Sequence, residues 1–232
     1  HAIKALHPNC ITVIGGVHVT AIPEETMREF RWFDIGVIGE GEITFHELCD
    51  ALQKDRRTTF NQINGLIYWQ DNELITTPAR NRIVHQDDIP FPAWDLLPPA
   101  KTYYVQSERG CPLSCIFCMN PNGKVARKRS VPNVINELNW IIQSFHPERI
   151  SFGDELFTVD ISRAEELLDA MIREQIGSKV KWDVQTHVQY VNDVLFQKFR
   201  EAKVDRVELG IETGDEEALR KMGKATTIDK IM

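Results

Sequence analysis

Hydrophobic positions along this chain change rhythm several times, and each change marks an element. Cys10 to Ile14 is a β-branched run that ends in Gly15-Gly16, which predicts a buried strand entering a tight turn. Ala2 to Leu6 reads as a short helix stopped by Pro8. Pro23-Glu24-Glu25 opens a second helix, with proline in its first turn and acids near the positive end of the helix dipole. Phe33 to Ile38 predicts another buried strand, closed by Gly39-Glu40-Gly41-Glu42. Ile43 to Leu52 carries Phe45, Leu48, Cys49 and Leu52 at helical spacing. Strands alternating with helices predict α/β winding with a parallel sheet, although two strands are too few to stand alone.

Leu66-Ile67-Tyr68-Trp69, a polar turn at Asp71-Asn72, and Leu74-Ile75-Thr76 predict a hairpin. The segment QDDIPFPAWDLLPPA over 86–100 is proline-rich and reads as a stiff linker, because proline drives its neighbours to extended structure. From residue 101 the chain repeats a βα rhythm. Its expected strands are Tyr103–Val105, Ile150–Phe152, Val180–Thr186 and Val207–Ile211. Its expected helices begin at Ser130, near Ile161, at Asn192 or Asp193, and at Asp215. Inside them are expected Leu167, Leu168 and Met171, then Val194, Leu195, Phe199 and Ala202. Four βα units amount to half of a (β/α)8 barrel. The division expected is therefore 1–62, a partial front domain; 63–100, hairpin and linker; and 101–232, a partial barrel. A first residue that is not Met, and a fourth unit that stops at Met232, read as truncation at both ends.

Charge and cysteine usage narrow the partners. Lys and Arg number 27 against 34 Asp and Glu, a net −7, which argues against nonspecific binding to nucleic acid or anionic membranes. No apolar run approaches the roughly 18 residues of a membrane span. Five cysteines, three of them within eight residues, do not read as a secreted disulfide framework, so a reducing, cytoplasmic setting is expected.

The chemistry concentrates in RGCPLSCIFCMN, where Cys111, Cys115 and Cys118 form C-x3-C-x2-C. Three thiolates on one short loop favour an iron–sulfur cluster or zinc. A 4Fe–4S cluster held by three cysteines leaves one iron open for chemistry, since four is the usual number. The loop follows a barrel strand, where barrels place active sites. Zinc would need a fourth ligand from His146 or His187, and neither has motif spacing.

With Phe117 at the aromatic position, the loop resembles the radical S-adenosylmethionine superfamily, whose signature is C-x3-C-x-aromatic-C. That resemblance implies a 4Fe–4S cluster whose open iron chelates the amino and carboxylate groups of S-adenosylmethionine. It also implies reductive cleavage of the cosubstrate to a 5′-deoxyadenosyl radical. Phe117 would lie near the adenine through its backbone. Asp154 and Glu155 stand where many relatives have Gly-Gly-Glu, and either is a candidate for the cosubstrate ammonium. Glu208-Leu209-Gly210-Ile211-Glu212-Thr213-Gly214 resembles the family's Gly-Ile-Glu-Ser-Gly segment and makes Glu212 the candidate for the ribose or amino group. By alternation Glu208 would share its face. The basic run Lys124, Arg127, Lys128 and Arg129 reads as a solvated loop, with contact to an anionic substrate as the alternative.

GGVHVTAIPEE followed by DIGVIGEGE resembles the C-terminal part of the cobalamin-binding domain found in front of such barrels. The resemblance places Gly15, Gly16, Gly39, Glu40 and Gly41 along the nucleotide tail of cobalamin. His18 does not match the axial-histidine pattern Asp-x-His-x-x-Gly and reads as a loop brace. The implied fold is the C-terminal part of a Rossmann-like cobalamin-binding domain followed by the N-terminal half of a (β/α) radical S-adenosylmethionine barrel. The implied activity is methyl transfer to an unreactive carbon of a small molecule, or a related rearrangement or cyclisation, with flavodoxin or ferredoxin as electron donor. The alternative from another class is a noncatalytic iron–sulfur or zinc scaffold or electron carrier. Paired acids at two strand ends argue against it, because a carrier needs no cosubstrate pocket.

Overall fold

The computed structural model describes residues 2–232, which form two compact units that divide between Val84 and His85. The first unit runs α1 (Ala2–Leu6), β1 (Val13–Ile14), α2 (Val17–Ala21), α3 (Pro23–Glu29), β2 (Ile35–Val37), α4 (Gly41–Gln53), β3 (Leu66–Gln70) and β4 (Glu73–Thr76). Its four-stranded sheet has the order β1-β2-β3-β4. The β1–β2 pair is parallel and the other two pairs are antiparallel. The hairpin is thus the outer half of the front sheet, joined to it through Ile35 opposite Tyr68 and Val37 opposite Leu66, so the first unit reaches beyond residue 62. Its turn places both Asp71 and Asn72 at positive φ (49° and 66°), the geometry a two-residue hairpin loop requires.

One core of this unit gathers Leu48, Phe60, Leu66 and Tyr68, and a second gathers Val19, Met27 and Ile67. Two expectations change. The first strand is short and leaves Cys10 outside it, exposed. On α4, Leu48 is buried and Leu52 packs against the core as expected, but Thr44 and Ala51 complete the buried face while Phe45 and Cys49 face solvent.

The second unit runs β5 (Thr102–Val105), β6 (Glu108–Arg109), β7 (Arg127–Lys128), α5 (Val131–Phe145), β8 (Arg149–Phe152), α6 (Ile161–Arg173), α7 (Ile176–Lys179), β9 (Lys181–Thr186), α8 (Asp193–Glu201), β10 (Arg206–Leu209), α9 (Glu216–Lys221) and α10 (Ile228–Ile231). Strands β5, β8, β9 and β10 lie side by side in that order, all parallel. Helix starts follow the sequence. Ser130, Asp160, Asn192 and Asp215 each accept a backbone N–H three residues on, satisfying a donor that the first turn leaves orphaned.

Between sheet and helices, Val105, Ile150, Phe152, Val184 and Trp182 pack with Leu138, Leu167, Leu168 and Phe199. Trp182 is fully buried and its Nε1 donates to the Ala202 carbonyl at 3.1 Å, so the indole enters the core with its polar atom satisfied. Val194 is exposed, contrary to expectation, because it sits in the first turn of α8 with Leu195 facing the core beside it. Strand β10 ends at Leu209, so Ile211 and Glu212 lie in the loop beyond. Among the described residues no helix is long and apolar enough to cross a membrane.

Candidate functional site

All four parallel strands of the second unit deliver loops from their C-terminal ends, and those loops enclose a cavity of about 360 Å³. It is lined by Cys111, Cys115 and Cys118 from the loop after β5, Glu155 after β8, Gln185 and His187 at the end of β9, and Glu208 and Glu212 around the end of β10. Phe117, Asn120 and Lys224 complete the wall. The three thiols are free, and all three cysteines line this one cavity. Among the described residues no three His, Cys, Asp or Glu side chains are gathered as a single metal ion would require.

The cysteine loop is held by its own backbone. At its base β6 and β7 pair antiparallel, a two-residue ladder too short to leave a periodic signal in sequence. Above it the Cys111 N–H donates to the Gly123 carbonyl at 2.9 Å, and the Cys118 N–H to the Cys115 carbonyl at 3.1 Å. The Ile116 N–H donates to the Met222 carbonyl at 2.9 Å, tying the loop to the segment after α9. Asn120, at φ 50°, donates from Nδ2 to the Cys111 carbonyl at 2.5 Å, and its backbone N–H points at Cys118 Sγ at 3.4 Å. Burial pushes the Cys111 thiol up, and the neighbouring Cys118, Cys115 and Glu155 add to the effect.

Gly110 is the hinge of this loop. Its φ is +106°, its N–H donates to Glu155 Oε2 at 3.1 Å, and a Cβ there would lie 2.3 Å from the Val125 carbonyl oxygen. Gly110→Ala should therefore destabilise the second unit by about 1–3 kcal/mol, the range for a residue forced into left-handed backbone. Thermal unfolding, with bound iron as a second readout, measures this; an unchanged midpoint and full iron would show that the loop gives way freely.

The two adjacent acids separate. Asp154 is completely buried and does not line the cavity. It accepts from the Ser107 N–H (2.6 Å), the Ser107 hydroxyl (2.6 Å) and the Glu108 N–H (3.1 Å), so it braces the chain beneath the cysteine loop. Glu155 lines the cavity and accepts from Gly110 N–H and from Asn122 Nδ2.

Glu212 also faces the cavity, but by a different route from the one alternation predicts. Its φ of 68° is left-handed, and its Oε1 accepts from Lys224 Nζ at 2.8 Å. Lys224 is nearly buried, and its ammonium stands 5.9 Å from the centroid of the Phe117 ring, which is itself exposed. Nothing in the linear pattern places Lys224 here, because it arrives through the turn after α9.

The basic run is solvated at Lys124, which is exposed, while Arg127, Lys128 and Arg129 are engaged within the unit. Lys128 pairs with Asp160 at 2.5 Å, and Arg129 bridges Glu137 at 2.6 Å and the Gln106 carbonyl at 2.7 Å. Arg127 is buried and donates to the Asn122 carbonyl at 3.0 Å, and Lys124 donates to the Leu113 carbonyl. Asp183 is likewise buried in ion pairs with Arg149 and Arg206, while Gln185 donates to the Asp154 carbonyl at 3.0 Å.

The first unit places its two glycine loops at the C-terminal ends of the parallel β1–β2 pair, where open α/β sheets bind ligands. The Thr20 hydroxyl joins them, donating to the Gly16 carbonyl at 2.7 Å and accepting from the Gly39 N–H at 3.0 Å. No atom lies within 4 Å of a Cβ built at Gly16 or Gly39, so both backbones are open to an approaching ligand. Gly15 ends the turn from β1, and Glu40 and Gly41 start α4. Glu40 Oε2 accepts from the Ile83 N–H at 2.9 Å, and His18 is exposed on α2.

The family described as the radical SAM superfamily matches residues 105–232, more than half of the chain. An uncharacterized methyltransferase of Pyrococcus horikoshii is 36% identical over 97% of this chain and 50% of its own length. An anaerobic magnesium-protoporphyrin IX monomethyl ester cyclase of Rubrivivax gelatinosus is 29% identical over 98% of this chain and 43% of its own. The chain thus spans about half the length of the curated relatives it matches. Among solved structures, the cobalamin-dependent S-adenosylmethionine radical enzyme OxsB superposes with a TM-score of 0.75 at 20% identity, covering 95% of this chain and 33% of that one. The radical S-adenosylmethionine methyltransferase TsrM from Kitasatospora setae gives 0.74 at 19%, covering 94% and 46%. At these identities the two structures speak to the fold.

Proposed function

This chain belongs to the radical SAM superfamily, and on that premise we propose that it is the part of a cobalamin-dependent radical enzyme that holds the cluster and the cosubstrate. The observation that carries this is the meeting of three free thiols from one loop with carboxylates from two strand ends around one cavity. The donor set fits a 4Fe–4S cluster: Cys111, Cys115 and Cys118 come from one loop and line one cavity, and three thiolates leave one iron open. When bound, such a cluster supplies the electron that cleaves S-adenosylmethionine reductively.

The chain's own residues would then bind and orient. Glu155, oriented by the Gly110 N–H and Asn122, is the acceptor suited to the cosubstrate ammonium, while Asp154 is committed to Ser107 and Glu108. Glu212 is suited to ribose hydroxyls, and Phe117, at the mouth of the cavity, to the adenine. In the first unit, the loops of Gly15, Gly16, Gly39, Glu40 and Gly41, with open backbone at Gly16 and Gly39, are suited to the tail of cobalamin. Methyl transfer or a related cyclisation of a small molecule is the reaction this set supports, in keeping with the names of the relatives. A soluble electron donor such as flavodoxin or ferredoxin would feed the exposed edge of the cysteine loop.

The test is reductive cleavage. Full-length protein, reconstituted anaerobically and given a reductant, should convert S-adenosylmethionine to 5′-deoxyadenosine. Protein that instead holds one tight zinc and leaves the cosubstrate intact would establish the scaffold alternative. Glu212→Ala should keep the cluster and weaken S-adenosylmethionine binding by roughly 10- to 150-fold, the equivalent of about 1.5–3 kcal/mol for a charged hydrogen bond. Unchanged affinity in equilibrium dialysis would leave Glu212 as the counter-ion of Lys224 alone.

A further inference from the structure

His187 follows directly on β9, the strand between those that carry Glu155 and Glu212. It lines the same cavity and is 2% exposed. Its Nδ1 accepts the Gln189 backbone N–H at 3.1 Å, capping the short turn Val188–Tyr190. A ring nitrogen that accepts carries no proton, so in the neutral imidazole the proton sits on Nε2. That Nε2 is buried and has no hydrogen-bond partner. Burial, and then the neighbouring Lys224, hold the imidazole below its ordinary pKa against the pull of Glu212, so the neutral tautomer persists.

A buried donor without an acceptor is unfavourable by itself, and one that lines a ligand cavity marks where an acceptor belongs. The amide donors among the other lining side chains are already engaged, Asn120 by the Cys111 carbonyl and Gln185 by the Asp154 carbonyl. Glu155, Glu208 and Glu212 only accept, and Lys224 is already engaged by Glu212. S-adenosylmethionine brings donors for those acids, in its ammonium and ribose hydroxyls, and it also brings oxygens that need a donor of their own.

We propose that His187 is a cosubstrate-positioning residue, whose neutral Nε2–H donates to an oxygen of S-adenosylmethionine lying between the groups held at Glu155 and Glu212. The proposal rests on the cosubstrate reading of this cavity. The oxygen belongs to the carboxylate or to the ribose, and both present the same acceptor chemistry.

Two substitutions isolate the donor. His187→Asn keeps a side-chain acceptor for the Gln189 N–H, and so keeps the turn, but reaches no donor to the Nε2 position. His187→Gln restores reach and a donor. Reconstituted full-length protein is the material, and affinity by equilibrium dialysis is the readout, with thermal unfolding as a folding control. His187→Asn should weaken S-adenosylmethionine binding on the order of tenfold with an unchanged melting midpoint, the range for one hydrogen bond. His187→Gln should recover much of the loss. If the acceptor is the carboxylate, decarboxylated S-adenosylmethionine should bind wild type and His187→Asn alike; if it is the ribose, the loss should persist with that analogue and vanish with the 2′- and 3′-deoxy analogues. Wild-type affinity in His187→Asn, with Glu212→Ala still weakened, would overturn this proposal and leave the cosubstrate reading standing. Wild-type affinity in both, with no 5′-deoxyadenosine formed by the wild-type protein, would overturn both.

Discussion

Cys115→Ala should leave the reconstituted protein without its cluster, with iron falling from about four per chain to background and 5′-deoxyadenosine formation lost, since three thiolates are already one fewer than a cubane usually receives. The same variant should fold normally. Cys115 contributes a carbonyl to the Cys118 N–H, and its neighbours are fixed by bonds from Cys111 to Gly123 and from Ile116 to Met222, none of which involves the thiol. The loop is therefore a preformed frame, and the loss should be confined to the metal. Anaerobic iron and sulfide analysis beside far-ultraviolet circular dichroism reads both halves of the expectation. A Cys115→Ala protein that retains a four-iron cluster would mean that the ligand set includes a residue other than the three cysteines. Apart from them, the side chains around the cavity that could serve are Glu155, His187, Glu208 and Glu212.

Much of this arrangement was legible in the sequence, and the parts that were not have physical reasons. Local rules act over three or four residues, so the caps at Ser130, Asp160, Asn192 and Asp215, and the turn at Asp71-Asn72, sit where composition placed or allowed them. The cysteine spacing marked the loop because all three thiols lie on one short segment. What depends on tertiary placement stayed hidden. Adjacent Asp154 and Glu155 are equivalent in sequence, yet one enters a buried network and the other the cavity. Lys224 and Asn120 carried no motif, and His187 was visible only as a distant zinc ligand; the β9 register brings it between two acids. Glu208 and Glu212 do share one cavity, as alternation expected, but by another route, because the backbone leaves the strand at Leu209 and turns left-handed at Glu212. On α4 the stripe was right at Leu48 and Leu52 and wrong at Phe45 and Cys49, because an exposed phenylalanine has the same hydrophobic weight in a periodicity as a buried one.

A second large effect concerns Glu108, which no motif signalled. This side chain is 1% exposed, and neither carboxyl oxygen has a hydrogen-bond partner. Burial raises its pKa from 4.5 to about 8; nearby Asp154 adds to that, while Arg163 and Lys128 oppose it. Asp154 itself is raised to about 6 by burial, against the hydrogen bonds it receives from Ser107 and Glu108. The sign follows from proton counts. Between pH 4.5 and 8 the folded protein holds a proton on Glu108 that the unfolded chain has released. Folding then takes up a proton, and stability falls as pH rises through this window, levelling off above about pH 8. Asp154 acts in the same direction over the narrower window from 3.8 to about 6. Glu108→Gln removes the titration while keeping the volume. A buried amide has its own unsatisfied groups, but that penalty is the same at every pH and cancels when two pH values are compared. Relative to wild type, Glu108→Gln should therefore gain on the order of 4 kcal/mol between pH 4.5 and 8.5, at ~1.36 kcal/mol for each pH unit of the window. Denaturant unfolding of the second unit's transition at those two pH values measures it. A difference between variant and wild type that stays constant with pH would show that Glu108 is ionised in the folded protein, compensated by Arg163 and Lys128.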